Sequence, residues 1–192
     1  MNIVREENQY LNLFKEIDKR LVNGRVILCV EGGSASGKST LSEILSNQYD
    51  CTIFHMDDFF LPLEKRNKER FMQVGGNIDW ERFLKEIVEP LKHNSKIVYR
   101  KFDCSSMSLG DEIEITPKKL IVIEGVYSMH LEFGKYYDFS VFLNISKELQ
   151  KERILKRNSS TFAKRFFEEW IPLENEYFKN TNILKRCDMI IE

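Results

Sequence analysis

The sequence predicts an α/β protein, a mostly parallel central sheet with helical layers on both sides, and three observations carry that prediction. Short, continuously apolar segments at 26–30 and 120–123 have the composition of strands buried on both faces, and 51–55 and 139–143 read as further strands. Segments with helical apolar spacing alternate with them, the pattern of βα units around a parallel sheet. The first apolar segment runs straight into a glycine-rich turn, Gly32-Gly33-Ser34-Ala35-Ser36-Gly37-Lys38-Ser39, and from there into a helical pattern.

Taken in order, the apolar positions Leu11, Phe14, Ile17 and Leu21 predict a helix over 3–21, stopped by Asn23-Gly24. After the 26–30 strand and its turn, Leu41, Ile44 and Leu45 mark a second helix. Residues 51–55 read as a strand ending in Asp57-Asp58, and 61–76 as a polar loop holding a short helix. Asp79 suits the N-cap of a helix carrying Phe83, Leu84, Ile87, Val88 and Leu91, with Pro90 near its end. Two extended segments, 96–102 and 112–115, flank a stretch rich in Ser and Gly. The third buried strand ends in Glu124-Gly125. Ser146 suits the cap of a helix reaching about Arg157, Asn158 to Thr161 is a break, and 162–178 is helical with Pro172 interrupting it. A short strand over 188–191 closes the pattern. No repeat or linker divides it, so 1–192 is expected to form one domain.

Composition narrows the function. With 29 Lys and Arg against 30 Asp and Glu, the net charge is -1, which gives no general attraction to nucleic acid or to a membrane surface. The longest apolar runs fall far short of the roughly 20 residues that span a bilayer. The first residues, MNIVREENQY, lack the apolar stretch of a secretory signal, so a cytoplasmic location is expected. Cys29, Cys51, Cys104 and Cys187 show no metal-ligand spacing; Cys29 and Cys51 sit in apolar runs and are expected to be buried free thiols.

The turn after the first strand fits G-x-x-x-x-G-K-[ST] at every fixed position. Glycines let its backbone wrap so that several N–H groups face one phosphate, and the following helix adds the positive end of its dipole. Gly32, Gly33, Ser34, Ala35, Ser36, Gly37, Lys38, Ser39 and Thr40 are therefore the candidate nucleotide-binding residues. Lys38 suits the β- and γ-phosphates of ATP, and the Ser39 hydroxyl suits Mg²⁺.

Ligands of open α/β sheets bind beyond the carboxyl ends of the strands. Two acids stand there beside the phosphate loop. Asp57 is the candidate general base, placed to take the proton of an acceptor hydroxyl; Glu124 is a candidate Mg²⁺ ligand, alone or through water. An Asp in such a place also serves as a turn former or cap, and the side chain of Asp58 is expected to diverge from its neighbour's. Between Lys147 and Arg165 stand seven basic residues against Glu148 and Glu152. Such a cluster, spanning about 153–170, suits a helical lid that brings Arg157 and Arg165, and secondarily Arg153 and Lys156, over a transferring phosphoryl group; it equally suits a solvated helix face.

The combination of GGSASGKST, HMDDFF after the second strand and IEGVYS after the third resembles the uridine kinase group of P-loop kinases, to which nicotinamide riboside kinase and bacterial pantothenate kinase are related. The resemblance runs from about Val26 to Ile191 and implies a three-layer P-loop fold. It implies that Asp57 is the base, that Glu124 helps hold Mg²⁺, and that Asp79, in Asn77-Ile78-Asp79, grips ribose hydroxyls. The sequence departs from that group in two places. No His occurs in the 99–106 segment, where the group has one against the pyrimidine, and Glu152 and Lys156 stand where arginines are expected. Tyr99 and Phe102 remain as candidates for stacking on a base, or for strand packing.

The reading that follows is an ATP- and Mg²⁺-dependent kinase acting on a primary hydroxyl of a small, nucleoside-like molecule. The alternative is a regulatory NTPase working as a conformational switch. Against it, no N-K-x-D guanine motif is present, since Asn67-Lys68-Glu69-Arg70 lacks the Asp, and no L-S-G-G-Q transporter signature is present either.

Overall fold

A computed structural model describes residues 9–192; the expected beginning of the first helix, at 3–8, lies outside them. Five parallel strands form the central sheet: β1 (Val26–Glu31), β2 (Cys51–His55), β5 (Leu120–Glu124), β6 (Phe139–Leu143) and β7 (Met189–Ile191), in the order β2-β5-β1-β6-β7. β3 (Ile97–Asp103) and β4 (Ser108–Ile115) pair antiparallel as a separate two-stranded sheet.

The apolar runs form strands because both their faces are covered. On one face, Val26, Leu28 and Val30 of β1 and Leu120 and Val122 of β5 pack with Leu13, Phe14 and Ile17 of helix α1 (Leu11–Leu21) and with Leu41 and Leu45 of α2 (Lys38–Gln48). On the other, Ile27 and Cys29 of β1 and Ile121 and Ile123 of β5 pack with Phe54, Phe83, Ile87, Tyr99 and Tyr177. Successive residues of a strand point to opposite faces, so one run of apolar residues serves two cores, and the result is three layers. Cys29 lies in the second core, whereas Cys51, at the start of edge strand β2, is only half-buried.

One expectation about proline changes. Pro172 does not interrupt its helix. Residues 160–181 run continuously through Ser160–Arg165 (α4), a π-helical turn at Phe166–Trp170, and Ile171–Thr181 (α5), with Pro172 in the first turn of α5. Pro90 follows the same plan, after a π turn at Leu84–Val88. A proline lacks the N–H for the usual bond and crowds the carbonyl four residues back; a wider turn just before it removes both conflicts. The 96–115 region also differs from its sequence reading. Gly110 lies inside β4, and the hairpin turn is confined to 104–107, with Met107 in the left-handed region at φ 55°.

The first helix of the basic segment, α3 (Lys147–Arg157), is capped as expected, Ser146 Oγ accepting from Leu149 N at 3.2 Å. Ser159 caps α4 in the same way, which accounts for the break at 158–161. Among the described residues no helix is long and apolar enough to cross a membrane.

Candidate active site

Strand register brings the expected residues to one edge. β5 lies between β2 and β1, with Glu124 opposite both His55 and Val30. The loops that follow β1, β2 and β5 therefore open at the same end of the sheet, at the point where the chain order reverses. They line one cleft of about 1820 Å³. Single-ligand pockets run to roughly 1,000 Å³, so this cleft has room for two reactants side by side.

The phosphate loop wraps as its glycines predict. Gly32 has φ 147°, and a Cβ there would meet Leu143 O at 2.7 Å and Ser36 Oγ at 2.8 Å, so no other residue fits. Gly37 (φ 102°) turns the chain into α2, whose N-terminal end faces the cleft. Lys38 Nζ donates to Gly32 O and Gly33 O, both at 2.9 Å. Ser36 Oγ is buried with no hydrogen-bond partner, the kind of orphan that a phosphate oxygen satisfies. The loop fits a nucleotide polyphosphate on these grounds.

Asp57 opens on the cleft from a 3₁₀ turn, Met56–Phe59, that directly follows β2. Its carboxylate reaches solvent through the cleft, yet protein surrounds it closely. Burial raises its pKa above the ordinary aspartate value, and the charge of Lys38 pulls the other way. Gly125 lets this turn approach the end of β5, since a Cβ there would stand 2.5 Å from that of Met56. Glu124 Oε1 lies 3.4 Å from Ser39 Oγ and 2.6 Å from His55 Nδ1. Among the described residues no group of three or more His, Cys, Asp or Glu could hold a metal ion. One hydroxyl and one carboxylate converge instead, a donor set that fits Mg²⁺, which keeps several waters and takes its other oxygens from phosphates.

Phe102, a candidate contact for the acceptor, lines the cleft with Phe60, its ring 6.4 Å away. Asn77 and Ile78 line it too. Cys104 and Met107, in the hairpin turn, also line the cleft, and Cys104 lies in the 99–106 segment that lacks a His. Two expectations are corrected here. Tyr99 is core: it is buried, lies 5.9 Å from Phe59 in a stacked arrangement and meets the edge of Phe54, away from the cleft. It alternates with Arg100 on a twisted strand whose inner face covers Phe59, and burial pushes its hydroxyl up to about 12. Asp79 is a cap: it is buried, accepts from Arg82 N at 3.2 Å and is paired with Lys65 at 2.8 Å, so its oxygens are engaged within the protein. Asp58 does diverge, to an ion pair with Lys101 at 3.4 Å.

The basic segment lines the cleft through Arg153, Lys156, Arg157 and Arg165. Arg153, a secondary candidate, touches the phosphate loop itself, donating from Nη1 to Ala35 O at 3.1 Å. Arg157 stands over the Phe166 ring at 6.0 Å. Arg165 is ion-paired with Glu169 at 3.1 Å, and Lys164 with Glu168 at 3.6 Å. The charges of Lys164 and Arg165 are thus offset by acids one helical turn on.

Two buried acids escaped the sequence reading. Glu31, the last residue of β1, accepts from the backbone N–H of Gly32, Tyr127 and Met129, from Ser128 Oγ and from Tyr177 Oη, at 3.0 to 3.2 Å. Burial raises its pKa to about 7 against these donors. Glu174 of α5 reaches the loop, accepting from Ser34 N at 2.9 Å and from Ser34 Oγ. Glu174 and Tyr177 are three apart on one helix face, the only signal in the sequence that they act together.

Sheet order, phosphate loop and cleft define a P-loop phosphotransferase fold. A model of the phosphoribulokinase / uridine kinase family matches residues 27–165. The chain belongs to this family, and is therefore a nucleotide-binding kinase of small molecules. It is similar to the uridine kinase of Clostridium tetani (strain Massachusetts / E88), with 24% identity over 143 residues, 69% of this chain and 68% of that one. It is likewise similar to the uridine kinase of Ligilactobacillus salivarius (strain UCC118), with 25% identity over 148 residues, 71% and 68% of the two chains. A solved structure described as a possible uridine kinase from Bacillus stearothermophilus superposes with a TM-score of 0.75 at 24% identity, covering 98% of this chain and 100% of that one, and shows the same fold.

Proposed function

We propose that the protein uses ATP and Mg²⁺ to phosphorylate a primary hydroxyl of a nucleoside-like small molecule. The observation that carries this reading is the single cleft shared by Lys38 of the phosphate loop, the carboxylate of Asp57 and the aromatic wall of Phe60 and Phe102. Phosphate chemistry stands on one side and a face for a planar ring on the other.

The loop from Gly32 to Thr40 binds the triphosphate, and Lys38 neutralises charge on its outer phosphates. Asp57 accepts the proton of the acceptor hydroxyl as that oxygen bonds to the γ-phosphorus and the bond to the ADP oxygen breaks. Arg153, Lys156 and Arg157 stand on the rim to meet the charge that builds on the transferring group. Ser39 and Glu124 would hold Mg²⁺, which screens the phosphates when bound. Asn77 and Phe102 are the contacts available to the acceptor.

The test is a panel of nucleosides, sugar phosphates and vitamin-like alcohols with labelled ATP. Transfer to a nucleoside that is lost in Asp57→Asn, with nucleotide binding retained, is the expected result. Transfer to sugar phosphates alone refutes the nucleoside class. Hydrolysis without any acceptor refutes the kinase reading in favour of a nucleotide-driven switch.

A further inference from the structure

We infer that Glu174 is a positioning residue of the phosphate loop, and that α5, through it, holds the loop in its nucleotide-binding shape. The inference rests on the nucleotide-binding half of the proposed function.

The loop contains one strained residue. Ala35 has φ 60°, the left-handed region, which is unfavourable for a non-glycine residue and persists only where the surroundings over-determine it. The surroundings here are three long side chains from two helices late in the chain. Glu174 of α5 takes the N–H and the hydroxyl of Ser34. Gln150 of α3 donates from Nε2 to Ser34 O at 2.9 Å, and Arg153 of α3 donates to Ala35 O at 3.1 Å. The peptide groups on both sides of the strained residue are therefore held from outside the loop.

Glu174 is the costliest of the three to keep there. It is a nearly fully buried carboxylate, 4% exposed. Burial raises its pKa, the Ser34 hydrogen bonds lower it, and the charge of Lys38 also favours the ionised form. Its hydrogen bonds go to the loop and not to the body of its own helix. The docking of α5 is carried by other groups: Tyr177 reaches Glu31 at 3.0 Å and packs on the Tyr127 ring at 4.7 Å. Removing the Glu174 carboxylate should therefore release Ser34 and Ala35 while α5 stays in place.

The experiment measures the affinity of the full chain for ADP and for a non-hydrolysable ATP analogue, without acceptor, alongside thermal stability. Glu174→Ala should weaken nucleotide binding about tenfold. Glu174→Gln, whose amide can accept from Ser34 N and donate to Ser34 Oγ, should stay within about threefold of the parent. Gln150→Ala should weaken binding in the same sense, which keeps the inference open to refutation should Glu174→Ala not fold. Unchanged or tighter binding in Glu174→Ala overturns it, as does a Glu174→Gln variant as weak as Glu174→Ala, or an unchanged Gln150→Ala. A parent that binds nucleotide but transfers phosphate to no acceptor sinks the kinase reading and leaves the clamp standing.

Discussion

His55 Nδ1 stands 2.6 Å from Glu124 Oε1, and that same oxygen lies 3.4 Å from Ser39 Oγ. The register of two parallel strands sets the first contact, because His55 and Glu124 are paired residues of β2 and β5. An imidazole that holds a metal-binding carboxylate in place fixes the direction of its lone pairs, and loss of such a partner costs metal affinity 10–100-fold as a rule. His55→Ala should raise the Mg²⁺ concentration for half-maximal activity about tenfold, read from initial rates in a Mg²⁺ titration. An unshifted titration would remove His55 from this role.

Asp57 must be ionised to accept a proton, and burial, partly opposed by Lys38, holds its pKa above the ordinary aspartate value. The rate should therefore fall with decreasing pH along a limb centred above about 4, the usual aspartate region. In Asp57→Asn, kcat should drop by 10²-fold or more, within the range that general-base catalysis supplies, while ADP affinity is retained. Rate profiles in pH together with equilibrium binding check both halves.

Glu31 links pH to stability. Its pKa goes from the ordinary 4.5 to about 7 on folding, so between these values the folded protein binds more protons than the unfolded chain. Stability then falls as pH rises through that window and levels off above about 7, with an amplitude of at most ~3 kcal/mol. His55, whose pKa is raised chiefly by its hydrogen bond to Glu124, loses its stabilising contribution in the same direction as pH rises through its folded value. Glu31→Gln should flatten the slope of unfolding free energy between pH 5 and 7, and denaturant titrations at several pH values will show whether it does.

Arg157 and Arg165 are not equivalent. Arg165 is neutralised by Glu169 at 3.1 Å, whereas Arg157 lines the cleft with an aromatic ring as its partner. Arg157→Ala should lower kcat about 10²-fold and Arg165→Ala less than tenfold, since a cation already paired has less charge to offer a transition state. Equal losses in single-turnover rates would contradict this ordering.

Phe102→Ala should raise the KM for the acceptor about tenfold and leave the KM for ATP within twofold, because its ring lies on the Phe60 side of the cleft. Steady-state kinetics with each substrate varied in turn gives both numbers.

Much of the donor half was legible in the sequence, because its chemistry is local. A strand, eight residues of turn and a helix N-terminus are contiguous, and Asp57 and Glu124 each directly follow an apolar run. The acceptor half was less legible. Tyr99 and Phe102 lie on one short strand, and only the pairing with β4, with its irregularity between Arg100 and Phe102, decides which of them turns inward. Asp79 satisfied a capping rule and a family motif at once, and its partner Lys65 is invisible to either. Glu31 and Glu174 were missed for a related reason. A buried carboxylate is recognised by its donors, and apart from Gly32 N beside Glu31 theirs come from segments 96 to 146 residues away in the chain.

The hairpin β3–β4 shares no backbone ladder with the five-stranded sheet. Phe102, Cys104 and Met107 thus reach the cleft from the outer end of a hairpin whose Ile97 and Tyr99 stay in the core, while the loops at the strand ends are anchored to a different set of hydrogen bonds. A lineage built this way can vary the residues at the tip of the hairpin without rebuilding the strand ends, provided that Ile97 and Tyr99 keep their places in the core.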